Sequence, residues 1–298
     1  MRRQVVLDTD LGTDIDDSWA LAMLLNSPEL EPRLILTATA NTQYRANVAA
    51  KHLTDFGHTD IEIGVGVSYD DPRHKESLLD WLDGFTTADN AGKVYPDGHA
   101  RLIELAATEE EPTIIAIAPQ SNLGHFCRLR PDLVPKCHLI SMAGSVNTGH
   151  RDAPGKIPEW NVMVDIPASQ AVFSAPWKSF TITPLDHCGN LVLTGDNYRR
   201  IRESLKSIPV GIISAYKAWL KAYGNEPQLA VSSSILYDTA AIHLACNTQD
   251  SIFETHYFNA DDAGMLQDCQ PNGRPIQCAL AWKDKEAYLS HLTDVLLR

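Results

Sequence analysis

Five aspartates occupy ten residues in the stretch DTDLGTDIDD near the start of the chain: Asp8, Asp10, Asp14, Asp16 and Asp17. Ionised carboxylates crowded into a cleft are stable only beside a compensating cation or with raised pKa values. Several carboxylate oxygens suit a hard cation such as Ca²⁺ or Mg²⁺, and no His/Cys cluster in this stretch competes for zinc. These residue types therefore predict a divalent metal site.

Helix capping is the alternative explanation for the same aspartates. One Asp at an N-cap and another in the first turn are favoured by unpaired N–H groups and by the helix dipole. Capping accounts for one or two of Asp14, Asp16 and Asp17, but not for Asp8 and Asp10 at the end of the apolar strand VVLDT. An EF-hand loop does not fit either, because its spacing and its closing Glu are missing. A metal site is the favoured interpretation.

The surrounding elements predict how the aspartates are positioned. Apolar, β-branched runs bounded by turn residues predict strands at Gln4–Thr9, Leu34–Ala40, Ile61–Val67, Thr113–Pro119, Cys137–Ala143 and Phe180–Leu185. Helix-like segments lie between them, at Ser18–Asn26, Arg45–Phe56, His99–Glu109, Leu123–Leu129 and Pro167–Ser174. This alternation predicts an α/β fold: an open, mostly parallel sheet with helices on both faces. Ligands bind beyond the carboxyl ends of the strands in such sheets, which is where the aspartates fall.

The remainder of the chain is predicted to complete a single domain, residues 1–298, with a helix-rich C-terminal third. Its elements are expected at Asn197–Lys206, Pro209–Tyr223, Asp238–Asn247, Ile252–Asn259 (strand-like) and Lys285–Leu297. Two long connections, 68–97 and 145–160, interrupt the alternation. Long loops in compact α/β domains are usually lids or binding loops, so both are candidates to border the site.

Composition narrows the classes of function. Apolar residues make up 44% of the 298 residues, and the net charge is −13, which argues against nucleic acid as a partner. The apolar runs are too short to span a bilayer, and Asp8 interrupts the first of them, unlike a signal peptide. The six cysteines have no metal-finger spacing. Reduced cysteines in a cytoplasmic protein that binds a cation and a small molecule are therefore expected.

Beyond these patterns, the chain resembles a known family. The segment from the first strand through DTDLGTDIDD to SWALAMLL is similar to the N-terminal signature of the inosine-uridine preferring nucleoside hydrolases. Similar segments follow in the family's order: TATANTQYRANVAAKHL, IAIAPQSNL, SMAGSV, EWNVMVDIPASQAVF and ILYDTAAIHLA. The resemblance covers nearly the whole chain. It implies a calcium-dependent hydrolase on an open α/β sheet that splits a ribonucleoside into base and ribose.

The resemblance also implies roles for particular residues. Calcium ligands would be Asp10, Asp17, Asp238 and the main-chain carbonyl of Ser121. Asp10, as general base, and Asn41 would be catalytic, and Asp8 would support the cluster from behind. Ribose contacts would fall to Asp16, Asn41, Glu159 and Asn161. A homo-oligomer, either a dimer or a tetramer, is expected by the same resemblance, with a nucleoside as the small-molecule partner.

Two departures from the family pattern concern contacts with the substrate. Tyr237 stands where the inosine–uridine enzymes have the histidine associated with protonating the leaving group. Ala153 occupies the position of an additional ribose-binding asparagine, for which Asn147 or His150 are the candidate substitutes. Trp81 and Tyr237 are expected to contact the base, with His99 and Trp160 as further candidates for its pocket. The base and sugar preferences stay open.

Two other functions are compatible with parts of the sequence. A non-catalytic relative would keep the calcium and ribose site as a binding module, consistent with the lost histidine. A haloacid-dehalogenase-like phosphotransferase would use Asp8 as nucleophile and Asp10 as acid/base. The second alternative is disfavoured, because Gly12 stands where that motif requires threonine. The nucleoside hydrolase is the preferred interpretation.

Overall fold

The computed structural model of the chain describes residues 2–90, 92–270 and 273–298. Eleven strands are found in these ranges. They are β1 Arg3–Thr9, β2 Leu30–Thr37, β3 Glu62–Val65, β4 Val94–Tyr95, β5 Thr113–Ala116, β6 His138–Met142, β7 Ser179–Thr183, β8 Ser251–His256, β9 Phe258–Ala260, β10 Leu266–Asp268 and β11 Ile276–Trp282.

Helices connect most of these strands. The α-helices of the described residues are α1 Asp16–Leu25, α2 Thr42–Phe56, α3 Leu79–Leu82, α4 Gly98–Thr108, α5 Ser121–Leu129, α6 Trp160–Met163, α7 Ile166–Ser174, α8 Leu185–Cys188, α9 Gly195–Arg202, α10 Ser207–Tyr223, α11 Thr239–Cys246 and α12 Lys285–Leu296.

Nine of the strands form one sheet in the order β4-β3-β2-β1-β5-β6-β7-β11-β8, and β9 pairs with β10 in a separate hairpin. All neighbours in the large sheet are parallel except β8, which runs antiparallel to β11 at one edge. The predicted mostly parallel α/β fold is confirmed. The strand order reverses at β1, because β2 adds on one side and β5 on the other. Such a switch point opens a crevice at the carboxyl ends of the two strands.

The helix that follows β1 lies in the centre of the molecule. All ten residues of α1 are buried, including the two aspartates at its start. The segment WALAMLL is apolar around the whole helix, as expected for a helix enclosed by other elements. It packs against β2, α10, α11 and α12. The rigid core therefore holds the aspartates that begin α1.

The predicted strands and helices of the first two-thirds are present, with ends shifted by a few residues. The C-terminal third, predicted to be rich in helices, also supplies β8 to β11. The strand β11 was not predicted, and it lies between β7 and β8 in the large sheet. All six cysteines are free thiols, and no helix among the described residues has the length and apolar character needed to cross a membrane.

Candidate active site

The turn between β1 and α1 forms the floor of the candidate site. Gly12 adopts a left-handed φ of +101°, and a Cβ at this position would lie 2.8 Å from the ring of Tyr44. The Tyr44 hydroxyl donates to the Gly12 carbonyl at 3.0 Å and accepts from the Leu78 N–H at 2.9 Å. Ser77 Oγ also donates to the Gly12 carbonyl, at 2.8 Å. The turn therefore requires glycine and is held by the loop after β3.

A buried guanidinium supports the same turn from below. Arg45, 1% exposed, donates to the main-chain carbonyls of Asp10, Leu11 and Thr39, and to Thr13 Oγ1. Its positive charge acts on Asp10 to lower the pKa of that carboxyl, against the larger effect of burial. Arg45 was not predicted from the sequence to be a site residue. The signal was its position on the apolar face of α2, four residues before the buried Ala49.

Three carboxylates meet above this floor. Asp16, Asp17 and Asp238 each present a carboxylate oxygen within 4.8 Å of the others, and all three side chains are buried. Burial first, and then repulsion from neighbouring aspartates, raises the pKa of each carboxyl well above its ordinary value. Such a cluster, holding only oxygen ligands, is unfavourable in its ionised form unless a cation lies among the oxygens.

Asp10 and Asp14 line the same cavity as this cluster. The backbone N–H of Asp10 donates to Asp17 Oδ1 at 3.2 Å, which ties the two residues together. Burial raises the pKa of Asp10 to about 6. A carboxyl with a pKa near neutrality is suited to accept a proton from water. Asp14 is exposed, and its Oδ1 accepts the Ile15 N–H at 2.7 Å, a local turn contact.

Asp8 lies behind the cavity and not in it. The side chain is fully buried, and Oδ1 accepts from Asn122 Nδ2 at 2.6 Å. Burial raises the pKa of Asp8 to about 7. The phosphotransferase alternative is therefore wrong, because a nucleophile needs an open path to its substrate. Asp8 instead joins β1 to Asn122, which also bonds the Thr37 carbonyl and the Val67 N–H.

Glu159 and Asn161 also line the cavity, at the start of α6. Glu159, 3% exposed, accepts from the N–H groups of Gly144 at 2.9 Å and Asn161 at 2.8 Å. Burial raises its pKa to about 7 despite these bonds. Asn161 Nδ2 donates to the carbonyls of Ile117 at 3.2 Å and Met142 at 3.1 Å, which fixes the amide. Both polar groups are thus held rigidly by main-chain atoms of neighbouring strand ends.

The cavity has a volume of about 400 Å³, within the range of small-ligand sites. Its acidic part contains the aspartates and Glu159. Its remaining wall contains five aromatic side chains, His150, Trp160, Trp219, Tyr223 and Tyr237, together with aliphatic and polar residues. The ring centroids of Trp219 and Tyr223 lie 4.9 Å apart, and the Arg73 guanidinium lies 5.6 Å from the centroid of the Trp160 ring. A flat apolar group therefore has surfaces to stack on beside the carboxylates.

The structure places Asn41 outside this cavity. Its Oδ1 accepts the Tyr44 N–H at 3.0 Å as the N-cap of α2, and its Nδ2 donates to Glu76 at 2.7 Å. The residue is exposed and borders a neighbouring cavity that also contains Tyr69 and His74. The two roles expected of Asn41, catalytic and ribose-binding, therefore have no contact with the carboxylate cluster in this structure.

Trp81 is also placed elsewhere, which corrects the expectation that it contacts the base. Only 9% exposed, it packs against His52 with ring centroids 4.6 Å apart, and its Nε1 donates to Ser214 Oγ at 3.2 Å. It anchors the short helix α3, because burial of a large aromatic ring away from water stabilises the fold. Trp219 and Tyr223 were missed, since their spacing on α10 is also that of a core-facing stripe.

Ser121 begins α5 at the carboxyl end of β5 and is 3% exposed. Its hydroxyl is buried and has no hydrogen-bond partner. The residue does not border the cavity, so its carbonyl as a metal ligand stays a prediction.

The sequence of the chain is similar to those of known proteins. The model of the family described as "inosine-uridine preferring nucleoside hydrolase" matches residues 5–283. The chain is 30% identical over 183 residues to the non-specific ribonucleoside hydrolase RihC of Klebsiella pneumoniae, covering 58% of each protein. It is 27% identical over 239 residues to the inosine-uridine preferring nucleoside hydrolase of Leishmania major, covering 76% of this chain and 74% of that protein.

The first of these similarities is therefore partial, since the match spans 58% of the length of the bacterial relative. Solved structures show that the fold as a whole is shared. A plant nucleoside hydrolase, the PpNRh1 enzyme, superposes with a TM-score of 0.82 at 19% identity, covering 100% of this chain and 99% of that chain. A purine-preferring ribonucleoside hydrolase from Gardnerella vaginalis gives a TM-score of 0.79 at 16% identity, covering 99% of both.

Proposed function

The chain belongs to the inosine-uridine preferring nucleoside hydrolase family, and we propose that it hydrolyses the N-glycosidic bond of a ribonucleoside with Ca²⁺ as cofactor. The observation that carries this proposal is the division of one cavity into an acidic part and an aromatic wall. A nucleoside has the same division, because its ribose is polar and its base is flat and apolar on both faces. The products are the free base and ribose.

The residues present fit a calcium ion. Asp16, Asp17 and Asp238 offer only oxygen ligands, which a hard cation prefers, and their mutual repulsion is relieved by positive charge. From the family resemblance we assign Asp10, Asp17, Asp238 and the Ser121 carbonyl as the residues that would hold the ion. Asp16, which belongs to the same carboxylate cluster, would lie beside the ion and contact ribose. A bound Ca²⁺ would supply positive charge that orients the ribose hydroxyls and lowers the pKa of a nearby water.

The remaining chemistry is assigned to side chains of this protein. Asp10 accepts a proton from water as the water oxygen bonds to C1′ of ribose. The bond between C1′ and the base nitrogen breaks at the same time, and its electron pair moves to the base. Glu159 and Asn161 hold ribose hydroxyls, and the density of carboxylates stabilises the positive charge that develops on the sugar ring.

Substitution of Asp10 tests the proposal. Asp10→Asn keeps the shape of the side chain but removes the base, so the rate of ribose release from inosine or uridine should fall by about 100-fold or more. The matched control is Asp132→Asn, which removes an exposed carboxylate in the turn before β6, at the amino ends of the strands. The control should keep the native rate, measured at saturating calcium.

Equal rates for native protein and Asp10→Asn would contradict the assignment of the base. Binding of calcium and ribose without any release, by folded native protein, would instead support the non-catalytic binding module. The homo-oligomer, a dimer or tetramer, and the cytoplasmic location stay predictions from the sequence.

A further inference from the structure

Hydrolysis of a nucleoside places an electron pair on the departing base, and a proton donor at the base lowers that barrier. Tyr237 occupies the position where the inosine–uridine enzymes have the histidine associated with this step. A tyrosine hydroxyl ordinarily has a pKa of about 10 and is therefore a poor acid at neutral pH. The family position thus lacks an effective acid for the leaving base.

A histidine from another part of the chain reaches the same point of the cavity. His150 Nδ1 lies 2.9 Å from Tyr237 Oη, and the two rings meet edge to face with centroids 5.5 Å apart. Both side chains line the cavity that contains the carboxylate cluster. His150 Nε2 has no hydrogen-bond partner among the described residues and is free to meet a ligand.

The backbone around His150 is held in an unfavourable conformation. Arg151 and Asp152 have φ angles of +56° and +59°, in the left-handed region that residues other than glycine rarely adopt. Two hydrogen bonds join these residues to a neighbouring segment: the Arg151 N–H donates to the Gly189 carbonyl at 2.9 Å, and Asn190 Nδ2 donates to Asp152 at 2.5 Å. Strain of this kind persists only where surrounding contacts maintain it, and it clusters at functional sites.

We propose that His150 is a catalytic residue that transfers a proton from Nε2 to the leaving base, and that Tyr237 is the positioning residue that orients its ring. This inference rests on the proposed function. In the protonated ring, Nδ1–H donates to Tyr237 Oη and Nε2–H faces the base. When the bond to C1′ breaks, its electron pair takes the Nε2 proton, and the neutral ring keeps its proton on Nδ1.

The proton balance closes through solvent. Asp10 gains one proton from the attacking water, the base gains one from His150, and both side chains return to their starting states by exchange with water. Burial and the neighbouring Arg151 lower the pKa of His150, which makes its protonated form a stronger acid than an ordinary imidazolium. The turn at residues 149–153 thus supplies the acid for the leaving base that Tyr237, the residue before Asp238, does not supply.

A substrate that needs no proton on its leaving group separates this role from a structural one. p-Nitrophenyl β-D-ribofuranoside carries the same sugar as a nucleoside, but p-nitrophenolate leaves as a stable anion. The experiment measures kcat/KM for this riboside and for inosine and uridine, with calcium present. The variants are His150→Gln and Tyr237→Phe. The control is His138→Gln, at the amino end of β6.

His150→Gln should reduce kcat/KM for the nucleosides by about 100-fold and change that for the riboside by less than about threefold. Tyr237→Phe should reduce nucleoside cleavage by about tenfold, because the ring loses its orienting bond, and should also spare the riboside. The control should keep both activities. Thermal unfolding of each variant shows whether the fold is retained, and Tyr237→Phe carries the test if His150→Gln does not fold.

Equal losses on both kinds of substrate, or no loss on either, would overturn the role of His150. Native protein that cleaves neither the riboside nor any nucleoside would overturn the proposed function itself, and with it this inference. The two failures are therefore distinguishable, because the first is seen in the variants and the second in the native protein.

Discussion

Thr9 and Asp17 are joined by a hydrogen bond of 2.5 Å from Thr9 Oγ1 to Asp17 Oδ1, and both residues are buried. One residue ends β1 and the other is in the first turn of α1. The bond, together with the Asp10 N–H on the same oxygen, fixes how the Asp17 carboxylate points. Groups that orient a metal ligand in this way contribute to metal affinity without touching the metal.

Thr9→Val should therefore weaken calcium binding by about 10- to 100-fold while the fold is retained. Valine has nearly the shape of threonine but lacks the hydroxyl, so the Asp17 carboxylate loses its closest hydrogen bond. Isothermal titration with Ca²⁺ measures the effect. Thr9→Ser keeps the hydroxyl and should bind close to the native affinity. Identical affinities for the native and Val proteins would show that Asp17 needs no orientation or binds no metal.

Arg45→Lys should lower the free energy of unfolding by about 3 kcal/mol, because an ammonium cannot reach the separate carbonyls that the buried guanidinium joins. Urea unfolding in the presence of chelator measures the change without any contribution from calcium. Arg33→Lys is the matched control. Arg33 lies 3.4 Å from Glu109 in a partly exposed ion pair, so its replacement should cost less than about 1 kcal/mol. A small effect at Arg45 would contradict its role as the support of the turn.

Stability without metal should fall as pH rises. Burial raises the pKa of Asp8 to about 7, of Asp10 to about 6 and of Glu159 to about 7. The folded protein holds protons that the unfolded chain releases near pH 4. The stabilisation of the folded state by these protonated carboxyls is therefore present below about pH 4 and is lost as pH rises through about 6 to 7.

Calcium should reverse this loss at high pH. At about 100 times its Kd, a ligand that binds only the folded state stabilises it by about 2.7 kcal/mol. Thermal unfolding should show a larger increase in Tm on adding Ca²⁺ at about pH 8 than at about pH 5, where protons compete for the carboxylates. A calcium effect of equal size at both pH values would contradict a site built from these aspartates.

Trp219→Ala should raise KM for nucleosides by about fivefold, because stacking of an aromatic pair contributes about 1 kcal/mol. Trp219→Phe keeps a ring in the wall and should show a much smaller increase. Steady-state kinetics on inosine and uridine measures both variants. An unchanged KM in Trp219→Ala would place the base away from α10.

The fold was predictable because its first two-thirds alternate between strand and helix patterns, and because the aspartates follow the first strand. The same order places Asp10, Asp16, Asp17, Glu159 and Asp238 at the carboxyl edge of one sheet, which the structure shows. Local patterns were sufficient for these features, since each depends on the end of a strand or the start of a helix.

The features that were missed depend on contacts between distant parts of the chain. The strand β11 is defined by its place between β7 and β8, which no local pattern encodes. Trp81 and Trp219 both lie on segments with apolar faces, and only packing decides that one enters the core and the other borders the cavity. The pairing of His150 with Tyr237 spans 87 positions and arises from a strained turn.

Calcium-dependent release of base and ribose by the native protein is the most direct test of the central claim. Purified protein is incubated with inosine or uridine, with Ca²⁺ or with chelator, and both products are quantified by chromatography. Equal amounts of base and ribose are expected with Ca²⁺, and release should fall to near zero with chelator. Folded protein that binds Ca²⁺ but releases neither product from any ribonucleoside would contradict it.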